Sequence, residues 1–158
     1  MNSVIQLIFI TLLPFLELRA SIPFGILKLG MPWYTVFIVC VITNMILGII
    51  IFFLLDKFVH LVIKIKPIGK LYHKIVERTQ KRIHKSVERW GELGVAIFIG
   101  IPLPGSGVYS GALGSYLLGL SYWKFIIANV IGVLIAGTAV TLISLFGGGA
   151  WTFFLKLV

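Results

Sequence analysis

Apolar residues fill this chain in long runs that are interrupted by proline and glycine more often than by charge. The first run covers residues 3 to 29 and is cut at Pro14 and Pro23, leaving pieces of about 11 and 7 residues. One helical crossing of a ~30 Å hydrocarbon layer takes ~20 apolar residues, so the pieces predict a re-entrant hairpin of two half-helices. Gly30-Met-Pro32 breaks the chain, and Trp33 and Tyr34 supply an interfacial anchor. A clean span is expected from there to Leu55, stopping at Asp56-Lys57. The second run starts at Gly94 to Gly100, breaks at Pro102 to Gly107 and resumes from Val108 to Leu120, predicting a second hairpin. Ser121-Tyr-Trp-Lys124 is another anchor, Phe125 to Phe146 another span, and Gly147-Gly-Gly149 its end. The tail from Trp151 to Val158 is too short to cross.

Between the two runs the pattern changes. From Pro67 to Trp90, apolar positions (Ile68, Leu71, Tyr72, Ile75, Val76, Ile83, Val87, Trp90) recur at spacings of three, four and seven beside a stripe of Lys70, Lys74, Arg78, Lys81, Lys85 and Arg89. This predicts an amphipathic helix on anionic headgroups. His60, His73 and His84 lie in the same polar region without ligand spacing or a Cys or carboxylate cluster, so metal binding and cofactors are not expected.

Composition settles the class. The chain is 59% hydrophobic, with a mean hydropathy of +1.07, against roughly 45 to 50% apolar content in a soluble domain. The expectation is an all-α, polytopic, multi-pass membrane protein forming a single domain, 1–158: hairpin and span over 1–56, basic connector over 57–92, hairpin and span over 93–158. The N-terminus has no basic region or small-residue cleavage site, so Met1 is expected to remain. The net charge of +9 suggests no nucleic acid, because ten of the fourteen Lys/Arg residues fall between Lys57 and Arg89. A basic loop beside spans is the positive-inside signal and places that loop in the cytoplasm. Cys40, alone in an apolar run, reads as a core packer.

The halves resemble each other: a hairpin, then Gly-Met-Pro-Trp-Tyr (30 to 34) or Gly-Leu-Ser-Tyr-Trp (119 to 123), then a span bearing Asn44 or Asn129 with Gly48 or Gly132 a turn later. With the connector cytoplasmic the two spans run in opposite senses, so the repeats are expected to be inverted, with their hairpins tip to tip near the midplane.

Chemistry concentrates at the two breaks. Glu17 and Arg19 sit where unpaired charge is least tolerated, costing roughly 2.5 to 3.5 kcal/mol each on insertion scales. Glu17 suits proton coupling, and the planar fork of Arg19 suits a phosphate or carboxylate. Two positions apart they diverge on a regular helix and converge only if the backbone unwinds, which Pro23 is expected to cause. The competing reading is structural: Glu17 neutralises Arg19 while the acid faces a half-helix N-terminus and the cation a C-terminus. In the second break, Pro102 and Pro104 lack N–H donors, Gly105 and Gly107 tolerate positive φ, and Ser106 and Ser110 add hydroxyls, so freed backbone groups are expected to meet an ion or substrate. A half-helix starting near Val108 would point its N-terminus at that tip. Asn44 and Asn129 read as cross-helix glue before direct ligands. Ala128, Gly132 and Ala136 offer a smooth face for helix or subunit contact. Without a nucleophile and matched base, or a nucleotide-binding glycine pattern, the chain is not expected to be an enzyme.

The motifs Glu17-Leu-Arg-Ala-Ser-Ile-Pro23 and Pro102-Leu-Pro-Gly-Ser-Gly107, with Gly-Ala-Leu-Gly following and Trp90-Gly91 preceding, resemble the prokaryotic small multidrug export protein family. More distantly, Ser121-Tyr-Trp-Lys-Phe125 with Asn129 and Gly132 resembles the DedA, or VTT-domain, lipid transporters and scramblases; unlike those, the stretch from Ile99 to Tyr122 carries no arginine. The first resemblance implies a small membrane exporter, the second a polyprenyl-phosphate or phospholipid substrate and proton-motive coupling. With the residues above, the expectation is a homodimeric carrier in a prokaryotic inner (plasma) membrane that exports small amphipathic or anionic compounds with protons; the alternatives are a lipid flippase or scramblase, and a non-transporting scaffold that uses the basic helix to recruit partners. The expected site comprises Glu17, Arg19, Pro23, Asn44, Pro102, Pro104, Gly105, Ser106, Gly107 and Asn129.

Overall fold

The computed structural model describes residues 2–14, 16–63, 91–103 and 105–147, with side chains omitted for 59–63. The expected amphipathic connector helix, the histidines' side chains, Pro104 and the tail from Trp151 lie outside the described residues. Every regular element within them is a helix: α1 (Ser3–Leu12), α2 (Glu17–Pro23), which runs into a π-helical turn (Phe24–Lys28), α3 (Trp33–Ile63), α5 (Val108–Leu117) and α6 (Tyr122–Phe146), with α4 (Gly91–Gly100) preceding α5. The order short, short, long therefore occurs twice.

Length explains that order. At 1.5 Å per residue the ten-residue α1 and α5 extend about 15 Å, half the hydrocarbon thickness. The apolar part of α3, Trp33–Phe58, and the whole of α6 have 26 and 25 residues, enough to cross it. The helix α3 continues past the expected stop at Asp56-Lys57 to Ile63. Charge ends an apolar window but does not break backbone hydrogen bonding, and no proline or glycine intervenes there. Ser121 precedes α6, which begins three residues before the expected span, and Gly147 closes it with its N–H on the Ile143 carbonyl at 2.8 Å.

Pro23 does not break the first hairpin as expected. It lies buried inside α2, where its missing N–H falls in the last turn and the helix widens instead of ending: Leu29 N–H bonds the Phe24 carbonyl at 3.0 Å, five residues back. The break lies at Leu13–Leu16, around Pro14.

The outward faces of the two long helices are apolar. On α3, Val36, Cys40, Asn44, Leu47 and Phe52 are buried, while Ile38, Ile42, Ile46, Ile50 and Phe53 form an exposed stripe at helical spacing. The same split occurs on α6, where Ile127, Ile131, Leu134, Ile135, Leu142 and Leu145 face outward. A soluble helix turns its polar face out; helices that are apolar on both faces suit a lipid exterior.

Small residues set the interior spacing. A Cβ on Gly132 would approach Ile99 Cβ to 2.7 Å and the Ala96 carbonyl to 2.8 Å, so α4 and α6 meet backbone to backbone. Ala128, Gly132 and Ala136 are buried within this chain, so that face serves an internal contact. Thr11, Ser21 and Cys40 tie the first three helices together: the Thr11 hydroxyl lies 2.7 Å from the Ser21 hydroxyl, which donates to Cys40 Sγ at 3.2 Å. Cys40 packs in the core as expected.

Candidate functional site: a buried ion pair between two broken helices

Glu17 is the first residue of α2 and has φ of 45°. Left-handed backbone at a residue with a Cβ costs roughly 1 to 2 kcal/mol, and here it turns the carboxylate off the path a regular helix would give it. Arg19, two residues on, then reaches it: Arg19 Nη1 lies 3.0 Å from Glu17 Oε2. The convergence expected from unwinding at Pro23 therefore comes from the residue at the helix start, with Pro23 downstream.

Both charges are sealed in, Glu17 at 2% and Arg19 at 8% exposure, and both reach across to the second hairpin. Glu17 Oε2 accepts the Val108 N–H at 3.1 Å, and Oε1 the Tyr109 N–H at 3.4 Å. The carboxylate thereby satisfies two of the N–H groups that the start of α5 leaves unpaired, at the positive end of its dipole. Arg19 Nη2 donates to the carbonyls of Ile99 (3.1 Å), Ile101 (2.9 Å) and Ser106 (3.1 Å) and to Ser106 Oγ (3.1 Å). Ile99 and Ile101 lie at the C-terminal end of α4, where carbonyls lack helical partners and a cation is favoured. One ion pair thus fastens both half-helices of the other hairpin.

The loop between them is shaped for this. Ser106 Oγ lies 2.7 Å from the Ile101 carbonyl and 2.8 Å from that of Leu103, and Gly105 has φ of 87°. Gly107 is extended and directly faces the acid: a Cβ there would collide with both Glu17 oxygens. Pro102 is half-buried beside these groups.

Asn44 of α3 completes the cluster, its Nδ2 lying 3.5 Å from Glu17 Oε2. Arg19 Nε and Asn44 Oδ1, both buried, have no hydrogen-bond partner among the described residues. Asn129 does not join. Its Nδ2 donates to the Met45 carbonyl at 3.0 Å and its amide packs against Gly48, where a Cβ would come within 2.5 Å; it glues α6 to α3. Pro23 lies buried inside α2.

Tyr109 escapes a reading of the sequence alone. Its hydroxyl donates to the Leu12 carbonyl at 2.6 Å, so the residue whose N–H meets Glu17 also ties α5 to the end of α1. Its place just after Gly107-Val108 is the one available hint. Among the described residues no cluster of His, Cys, Asp and Glu could hold a metal.

Two breaks in apolar helices are joined by one buried ion pair beneath apolar helix faces, an arrangement in which the charges and freed backbone groups satisfy one another. The model of the family described as "Putative small multi-drug export protein" matches residues 17–139, beginning at the acid itself. The chain belongs to that family. No curated protein and no solved structure matches it.

Proposed function

We propose that this chain is a multi-pass secondary carrier of two inverted hairpin-plus-span repeats, working as a homodimer in a prokaryotic inner membrane, and that it exports small amphipathic or anionic solutes in exchange for protons. The observation that carries the reading is the Glu17–Arg19 pair, which holds the ends of α4 and α5 from α2. In this arrangement the tips are locked and the charges satisfy each other. Protonating Glu17 removes the negative charge that Arg19 and the α5 N-terminus share, and it replaces an acceptor by a donor facing other donors. The lock then loosens, and Arg19 is released to a solute oxyanion or to water. Arg19 Nε and Asn44 Oδ1, a spare donor and acceptor in the same cluster, are ready to take such a ligand. Membership of an export family supports the transport class.

The test is reconstitution in liposomes with an imposed proton gradient. Gradient-driven solute flux in the wild type that is lost in Glu17→Gln is the expected result. Labelled-lipid flipping without solute flux would transfer the protein to the lipid class, and the absence of both would leave a scaffold.

A further inference from the structure

Among the described residues, the hydrogen-bond partners of the Glu17 carboxylate are all donors. Oε2 faces Arg19 Nη1 at 3.0 Å, the Val108 N–H at 3.1 Å and Asn44 Nδ2 at 3.5 Å, and Oε1 faces the Tyr109 N–H at 3.4 Å. That set suits an ionised acid, which can only accept. A protonated acid carries an O–H that needs an acceptor, and burial of Glu17 at 2% exposure keeps bulk water from serving. We propose that Asn44 is the positioning residue for the proton on Glu17: its amide turns over when the acid is protonated, so that Oδ1 accepts the new O–H where Nδ2 had donated. The inference rests on the carrier reading and names the regulation of that same site.

The acceptor is within the cluster. Asn44 is 1% exposed, and its Oδ1 has no partner among the described residues. The other side chains beside the acid cannot take its place: Arg19 has donors only, and Tyr109 commits its hydroxyl to the Leu12 carbonyl at 2.6 Å. The two ends of a primary amide are nearly equal in size, so half a turn about its last bond exchanges donor for acceptor without repacking α3. Protonation at Oε2 removes the charge that holds Arg19 Nη1; the O–H then donates to Asn44, and Arg19 is left to the solute. Asn129 is the internal contrast: its Oδ1 is equally unpartnered, but it stands against Gly48 with no acid to serve. The titratable groups facing Glu17 are Arg19 on its own helix and Tyr109 from α5. From the other elements, α1 carries none, Cys40 of α3 bonds Ser21, Asp56 and Lys57 lie about three turns beyond Asn44, and Glu92 of α4 pairs with Lys124 of α6.

Infrared difference spectra of the purified full-length protein across an acid titration read both partners. Glu17 is the carboxyl band that Glu17→Gln deletes. With asparagine labelled by heavy carbon at its side-chain carbonyl, protonation of Glu17 should move a labelled amide band to lower frequency in the wild type, because a carbonyl that accepts a bond is weakened. The shift should survive in Asn129→Ala and vanish in Asn44→Leu. Asn44→Leu, close to asparagine in size, should also need about tenfold more protons to reach the same protonated fraction, as expected when the acid form loses one buried hydrogen bond. Protonation of Glu17 with silent asparagine bands would overturn the proposal in the wild type itself, without any variant having to fold. An unchanged titration in folded Asn44→Leu would overturn it too, as would the lack of a Glu17 band before acid unfolding. These readouts need no gradient: an asparagine-coupled titration without proton-driven flux sinks the carrier reading alone, and proton-driven flux with silent asparagine bands sinks this inference alone.

Discussion

The carboxylate of Glu17 occupies the space in which a side chain on Gly107 would stand. Ninety residues apart in sequence, these two positions decide whether the hairpin tips can meet. The glycine's bareness lets the acid reach the first N–H groups of α5, and the acid in turn fixes where α5 begins.

Gly107→Ala should therefore destabilise the protein by about 1 to 3 kcal/mol through overpacking against a buried charge. Gly114→Ala, with nothing near its missing Cβ, should stabilise α5 by about 0.5 to 1 kcal/mol. Denaturant titrations of both variants in micelles check the opposite signs.

Arg19→Gln and Glu17→Gln should each cost about 3 to 5 kcal/mol, because either leaves a buried charge without its counterion. The double variant should cost clearly less than their sum. A double-mutant cycle giving additive losses would show that the two charges do not stabilise each other.

Gly48→Ala should be harmful because the Asn129 amide fills the space beside it. Combining it with Asn129→Ala should recover most of the loss, since the smaller side chain makes room and the bond to the Met45 carbonyl is worth only about 0.6 kcal/mol in a membrane helix pair. Thermal melts of the three variants provide the comparison.

Tyr109→Phe removes the hydroxyl bond to the Leu12 carbonyl and should cost about 1 kcal/mol. Hydrogen exchange should accelerate at the amides of Val108 and Tyr109, while those in the middle of α6 stay protected. Unchanged exchange at the α5 start would mean that Glu17 alone holds it.

Much of the architecture was written locally. Runs of apolar residues, their lengths and the Pro102–Gly107 break follow from what a bilayer and a missing N–H allow, and these are properties of neighbours in sequence. The predicted ends of α6 and the start of α5 fell within a few residues of those observed for that reason. The same locality explains two departures. A charged pair at Asp56-Lys57 marks where hydrophobicity stops but has no means of ending a helix, and Pro23 near the end of a short helix widens a turn instead of breaking it.

The letters by themselves determined that Glu17 and Arg19 would be buried and would need partners, since apolar surroundings leave charge no other option. Their pairing with each other and with helix ends was among the readings the sequence allowed; tertiary structure decided which groups complete the set. Most are backbone N–H and C=O, of Val108, Tyr109, Ile99, Ile101 and Ser106, which every residue possesses and no composition advertises. Asn44 and Asn129, alike in sequence context, were parted the same way: one faces the acid and the other a carbonyl, because hydrogen-bond direction depends on how helices cross, and that is settled only when the chain packs.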